Sequence, residues 1–341
     1  MEVLPIILLV AGLVLVLGGS DALVDGASGL ARRSGMSEFV IGMTIVGIGT
    51  SMPELVVSWL SAIENKTDMS VGNIVGSNIF NTLLILGATA VVLPIGITRQ
   101  NFRRDMPINI AAALLLVLCG MSATLFKFGD DCLNRIEGAG MLALFVVYMV
   151  FAIRSGKQDN GDVAPQAADM EHNSFKATEA GSEGGSKEKI QPLWKDLALV
   201  VLGLVALIAG GKLFVDNAVI IAKALGWSDK FIGITILAGG TSLPELATCL
   251  VAAAKKKDQL ALGNILGSNI SNILLILGGA ALIRPIPFAN VTFTDMGFLL
   301  LSAIILPLTY FSFDKHKIGR FEGLVLLFLE AAYMYLLIRA L

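Results

Sequence analysis

Residues 42–55 read GMTIVGIGTSMPEL, and 191 positions later residues 233–246 read GITILAGGTSLPEL, identical at 9 of 14 positions. A second block, GNIVGSNIFNTLLILG at 72–87, returns at the same offset as GNILGSNISNILLILG at 263–278, with 13 of 16 matches. Chance likeness between apolar helices exchanges Leu for Ile; it does not match Asn to Asn and Glu to Glu. The chain is therefore an internal duplication, aligned without a gap from about Gly19 to Pro94. Any fold must place two copies of an apolar stretch that is broken by a proline and carries an acid.

The surroundings of the repeats say what kind of fold that is. With 55% hydrophobic and 15% charged residues and a mean hydropathy of +0.78, the chain has the composition of a membrane protein. Apolar runs long enough to cross about 30 Å of hydrocarbon begin near residues 3, 39, 71, 105, 136, 193, 231, 260, 296 and 323, which predicts ten transmembrane helices in an all-α protein. Five helices per copy is an odd number, so the second copy runs upside down relative to the first. Inverted repeats are a signature of secondary transporters, in which interrupted helices, here helices 2, 3, 7 and 8, meet near the midplane to form an ion site. The predicted units are residues 1–154 as the first five-helix repeat, 155–191 as a linker and 192–341 as the second, inverted repeat.

Charge sets the expected orientation. With the N-terminus outside, 17 of the 25 Lys and Arg residues fall on the cytoplasmic side, as the positive-inside rule requires. Both termini are then expected outside. Segment 155–191 carries seven acids and four bases among Gly, Ser and Ala, cannot build a core, and is expected to be a mobile cytoplasmic linker. The N-terminal run lacks a basic leader and a cleavage site, so it is expected to stay as helix 1. No basic face suggests nucleic acid. Cys119, Cys132 and Cys249 fall at no metal or disulfide spacing and are expected to pack as small residues; His172 and His316 are expected in solvated loops.

Pro53 and Pro244 each remove a helix amide beside glycines, so carbonyls near Gly47 and Ala238 are expected to lack helical partners. In lipid such groups require something to bind. Thr50, Ser51, Thr241 and Ser242 add oxygens at the breaks, and Glu54 and Glu245 add charge. This is an all-oxygen set suited to hard cations such as Ca²⁺ or Na⁺. Ser77 and Asn81, with Ser268 and Asn272 in the other copy, extend it; Gly72, Gly76, Gly263 and Gly267 are expected to let the helices carrying the glutamates approach. Ser37 and Ser228 read as helix caps. Asp25 and Asp216, also repeat mates, lie toward helix ends and rank below the glutamates. A carboxylate at membrane depth is a functional residue by default, and here there are two at matched positions.

GTSMPEL with GNIVGSNIFN, and GTSLPEL with GNILGSNISN, resemble the paired α-repeats of the cation/calcium exchanger superfamily, nearest its sodium/calcium exchangers and their prokaryotic relatives. The resemblance implies that Glu54 and Glu245 bind Ca²⁺ with backbone oxygens of Thr50 and Thr241. It also implies that Na⁺ uses Gly47, Ala238, Ser51, Ser242, Ser77 and Ser268, with Asn81 and Asn272 lining the centre. A loop of 37 residues has no room for the calcium-sensing domains of animal exchangers. Some relatives carry Asp where this chain has Asn272, an exchange associated with K⁺ co-transport. The expected function is exchange of Ca²⁺ for Na⁺ across a prokaryotic plasma membrane, with no enzyme activity, no cofactor and a single copy sufficient for the site. H⁺-coupled exchange is the nearest rival, a cation channel the next, and an intramembrane aspartyl protease the most remote.

Overall fold

The computed structural model describes residues 3–127, 130–156, 192–227, 238–288, 291–311 and 316–339. Within them the helices, apart from the short Ser122–Phe126, group into ten segments. These are α1 (Val3–Ser34), α2 (Glu38–Thr50 and Met52–Ile63), α3 (Thr67–Val92), α4 (Asn101–Asp105 and Met106–Gly120) and α5 (Arg135–Gly156). The second set is α6 (Leu193–Ala224), α7 (Ala238–Thr241 and Leu243–Ala254), α8 (Asp258–Ile283), α9 (Phe293–Thr309) and α10 (Arg320–Arg339). Six of them, α1, α3, α5, α6, α8 and α10, are single helices long and apolar enough to cross a bilayer, and α2 makes a seventh span as a pair bent by 46°.

Four two-residue strands fix the sides. β1 (Ile95–Gly96), before α4, pairs antiparallel with β4 (Lys317–Ile318), before α10; β2 (Cys132–Leu133) and β3 (Ile286–Pro287) do the same for the connections leading into α5 and α9. Lys257 pairs with Glu38, and Asp258 accepts from the Gly96 amide, so the α7–α8 turn lies on the β1–β4 side. Arg284 donates to Asn65, which puts the matching α2–α3 turn on the side of the α8–α9 connection. Equivalent turns of the two copies therefore lie on opposite faces, and the repeats are inverted. The face carrying Lys255, Lys256 and Lys257 is hereafter the lysine face.

The two breaks are built alike. Ser51 (φ −81°, ψ 8°) ends the first piece of α2, and Pro53 sits in the first turn of the second; Ser242 (φ −87°, ψ 8°) and Pro244 repeat this in α7. A proline is tolerated at a helix start, where its missing N–H has no partner to lose. In α3 and α8 the interruption takes another form: both run through, wound as π-helix at Asn81–Ile85 and Asn272–Leu277.

Burial sorts the helices. In their most apolar windows α3 is 72% and α8 89% buried, against 28% for α1, α5, α6 and α10, so α3 and α8 form the centre and the others face lipid. The antiparallel α1 and α6 touch backbone to backbone. A Cβ at Gly12 or Gly19 would come within 2.8 Å of the Gly210 or Gly203 carbonyl, and the same holds in reverse.

Ser37 caps α2, its Oγ accepting from Val40 N at 3.3 Å. His316 lies exposed in a connection, its ring 4.3 Å from Tyr310. Ser228, His172 and the linker from residue 157 lie outside the described residues.

Candidate functional site

Both glutamates stand in the first turn of the helix that follows a break, and both are fully buried. There they face each other's repeat. Ser51 Oγ donates to Glu245 Oε1 at 2.9 Å, and Ser242 Oγ donates to Glu54 Oε1 at 3.2 Å. Each acid is thus bound by the serine that ends the broken helix of the opposite copy. Ser77 Oγ lies 3.4 Å from Glu54 Oε1 and 2.9 Å from Ser242 Oγ, and Asn272 Nδ2 donates to Ser77 Oγ at 3.4 Å.

On the other side of the cluster, Ser268 Oγ donates to the Gly47 carbonyl at 3.1 Å, and Thr50 Oγ1 lies 3.2 Å from Asn264 Oδ1. Thr241, at the end of Ala238–Thr241, is half-buried, whereas its mate Thr50 is fully buried. One expectation needs correcting: the Gly47 carbonyl is not free, because Ser51 N donates to it at 3.3 Å and Ser268 Oγ joins. The break at Ser51 comes one turn later, so the helical bond from 51 to 47 survives it. The carbonyl that Pro53 leaves without its helical N–H is that of Gly49.

Four buried acceptor oxygens at this junction, Glu54 Oε2, Glu245 Oε2, Asn81 Oδ1 and Asn272 Oδ1, have no hydrogen-bond partner, nor has the Thr241 hydroxyl beside them. All four are acceptors without a proton to give once the acids are ionised. Burying even one such group without a partner costs about 1–3 kcal/mol, more when charged. The four form two symmetry-related pairs, and a cation is the kind of partner that such acceptors lack. Among the described residues no three of His, Cys, Asp and Glu cluster together, so any cation held here is held mostly by neutral oxygens.

The repeated asparagines that the site reading passed over hold the frame. Asn78 Nδ2 donates to the Asn269 carbonyl at 3.1 Å, Asn81 Nδ2 to Asn269 Oδ1 at 3.2 Å, Asn269 Nδ2 to Thr82 Oγ1 at 2.8 Å and Asn272 Nδ2 to Asn78 Oδ1 at 3.0 Å. These bonds tie α3 to α8. Their signal was present in the sequence, since Asn78 and Asn269 stand at the repeat offset. Cys249 does more than fill space: Asn264 Nδ2 donates to its Sγ at 3.3 Å, and its mate Ser58 receives the same bond from Asn73 at 3.3 Å. Of the other buried acids, Asp105 pairs with Arg104 and Asp196 with Arg33, while Glu330 Oε2 in α10 has no hydrogen-bond partner. Asp25 is on the surface, paired with Lys255, and Asp216 is exposed.

The glycine pairs differ between the copies. A Cβ at Gly263 would stand 2.2 Å from the Phe39 carbonyl oxygen, and one at Gly267 2.2 Å from that of Met43, so the first piece of α2 lies directly on α8. Gly72 is exposed and Gly76 half-buried, and nothing among the described residues lies within 4 Å of a Cβ built on either. Close approach is thus seen at Gly263 and Gly267; residues 230 and 234, the mates of Phe39 and Met43 that would face Gly72 and Gly76, lie outside the described residues. The site is sealed on the lysine face, where α2 and α8 meet.

Known proteins match this architecture over its whole length. A family model described as sodium/calcium exchanger protein matches residues 4–154 and 195–339. A putative antiporter, CaxA, of Alkalimonas amylolytica is 39% identical over 97% of this chain and 98% of its own. The sodium/calcium exchanger MaX1 of Methanosarcina acetivorans is 33% identical over 97% of both. The solved sodium-calcium exchanger NCX_Mj, soaked with 10 mM Na⁺ and zero Ca²⁺, superposes with a TM-score of 0.79 at 31% identity over 100% of both chains. With its duplicated glutamates, its inverted five-helix repeats and a family match on both copies, the chain belongs to the sodium/calcium exchanger family.

Proposed function

We propose that this protein is a secondary antiporter that exchanges Ca²⁺ for Na⁺ by alternating access, with Ca²⁺ and Na⁺ as its substrates. The observation that carries the reading is the set of four partnerless buried acceptors, Glu54 Oε2, Glu245 Oε2, Asn81 Oδ1 and Asn272 Oδ1, at the junction of the repeats. Two are amide oxygens, which coordinate metal but do not titrate. A carrier of protons alone would leave them unsatisfied; a metal carrier satisfies them.

Ca²⁺ takes both carboxylates, with backbone oxygens of Thr50 and Thr241. Na⁺ takes overlapping positions drawn from Gly47, Ala238, Ser51, Ser242, Ser77 and Ser268, beside Asn81 and Asn272. Two negative charges match one Ca²⁺ or several Na⁺, and an emptied, doubly ionised site resists occlusion because nothing offsets the repulsion of the acids. Exchange is then obligatory. Close packing of α2 on α8 at Gly263 and Gly267 fits a conformation closed on the lysine face.

The units are residues 1–154 and 192–341 as inverted repeats and 155–191 as a cytoplasmic linker. Both termini lie outside a prokaryotic plasma membrane, and the lysine face is cytoplasmic. One chain supplies both halves of the site, so a monomer suffices.

The test is ⁴⁵Ca²⁺ uptake by reconstituted vesicles. Na⁺-loaded vesicles diluted into Na⁺-free buffer should accumulate Ca²⁺, and vesicles with matched choline should not. Equal uptake driven by a proton gradient without Na⁺ would replace this reading with H⁺ exchange, and rapid uptake with neither gradient would replace it with a channel.

A further inference from the structure

Lys255 ends α7 on the lysine face, and its Nζ reaches two acids of α1, Asp21 at 2.7 Å and Asp25 at 2.6 Å. Asp21 and Asp25 lie inside the duplicated region, as does the turn that carries Lys255. The repeat offset of 191 takes Asp21 to Lys212 and Asp25 to Asp216, both on α6, and takes Lys255 back to Glu64 at the end of α2. For Asp21 and Lys255 the signs are exchanged, to Lys212 and Glu64, whereas the position of Asp25 keeps an acid, Asp216, in the second copy.

The two turns present these side chains alike. Glu64 (φ −76°, ψ 1°) and Lys255 (φ −85°, ψ 7°) cap their helices with matching backbones; Asn65 and Lys256 both take positive φ, 65° and 59°. Lys66 N donates to the Ser61 carbonyl and Lys257 N to the Ala252 carbonyl, each at 2.7 Å. α1 and α6 are also equivalent, each of 32 residues, and their glycines interlock in mirrored pairs. Yet only one of the two charge pairs is made. Glu64 pairs instead with exposed Lys66 at 2.8 Å, and among the described residues neither Lys212 nor Asp216 has an ion-pair partner.

We propose that Lys255 with Asp21 and Asp25, and Glu64 with Lys212, are alternating ionic latches. The first holds α1 to the end of α7 while the lysine face is sealed. The second forms between α6 and the end of α2 when the opposite face is sealed and the first is broken. Lys66 holds Glu64 in the meantime. The inference rests on the alternating-access reading of the site, and it goes beyond the ion site itself by naming residues on the two faces that bias the states.

Cross-linking tests it on purified protein, whether or not that protein transports, so that failure of the latch and failure of the exchange reading are distinguishable. In a background with Cys119→Ala, Cys132→Ala and Cys249→Ser, the pair Glu64→Cys and Lys212→Cys is treated with a short bifunctional thiol reagent. The pair should cross-link. Adding Lys255→Gln, which removes the first latch, should raise the rate of cross-linking by about two- to fivefold, the range of a partly exposed ion pair. No cross-link in either background, or a rate that Lys255→Gln leaves unchanged, overturns the proposal. If the cysteine pair does not fold, charge exchange decides. Glu64→Lys and Lys212→Glu should each slow exchange by about two- to fivefold, and the double variant should restore it. A double variant no better than the singles overturns the latch.

Discussion

Replacing Gly267 by Ala should open the sealed face. The added Cβ would stand 2.2 Å from the Met43 carbonyl oxygen, 2.6 Å from its Cα and 2.7 Å from its carbonyl carbon. All three are backbone atoms, so no side chain can rotate away; ordinary contact near 3.4 Å requires α2 and α8 to part by roughly an ångström. Overpacking of this kind costs about 1–3 kcal/mol. The strain exists only while the first piece of α2 lies on α8, so it falls on the sealed conformation and is relieved on opening. At about 1.4 kcal/mol per tenfold change, the open population should rise by about 5- to 150-fold. Hydrogen exchange of the amides in residues 38–50, read by mass spectrometry on purified protein, reports that opening. Gly76→Ala supplies the comparison, since nothing among the described residues lies within 4 Å of its Cβ, and it should leave the same amides unchanged. A folded Gly267→Ala protein whose residues 38–50 exchange at the parental rate would refute the reasoning, because the clash would then have been absorbed without parting the helices.

Glu54→Gln and Glu245→Gln should each lower Na⁺-driven ⁴⁵Ca²⁺ uptake by more than about a hundredfold while the protein still folds, since the amide keeps an acceptor for Ser242 or Ser51 but removes a charge that a dehydrated divalent ion needs. Asn272→Asp takes away the donor to Asn78 Oδ1 and sets a carboxylate against it; thermal unfolding in cation-free detergent should show a loss of about 1–3 kcal/mol that added Ca²⁺ reverses. Ser37→Ala should remove the cap bond to Val40 N, at about 0.5–2 kcal/mol in unfolding, and leave ion selectivity in flux competition unchanged. Deletion of residues 158–188 should leave uptake intact, because that segment has no apolar surface with which to dock.

The duplication made most of the site legible. Offset arithmetic alone paired Glu54 with Glu245, Ser51 with Ser242, and Ser77 and Asn81 with Ser268 and Asn272, and the structure brings these residues to one junction. What the offset could not convey is asymmetry. Lys255 and Glu64 occupy equivalent positions, yet a single conformation pairs the first with α1 and leaves the second with its own neighbour Lys66. The braces were hidden for another reason. Asn78 and Asn269 look like Asn81 and Asn272 in composition, and only their places one turn earlier on α3 and α8 satisfy both ends of the first pair's amides and leave an oxygen of the second pair without a donor. The placement of the bend was also set by detail below the motif: the proline marks it, but the serine two residues earlier carries the irregular dihedrals.

The glycine-lined contact of α1 with α6 also bears on how the chain is made. Gly12 and Gly19 meet Gly210 and Gly203, which are synthesised nearly two hundred residues later, after the whole first repeat and the linker. Until α6 emerges, α1 must sit in lipid with a notched flank that no neighbour within its own repeat fills, and Glu54 must wait for its serine from the other copy. The first repeat is therefore a membrane-inserted intermediate rather than a domain. Its assembly is a docking of two half-proteins that happen to share a peptide chain, and cutting that chain within residues 158–188 should leave halves that are active only when co-expressed.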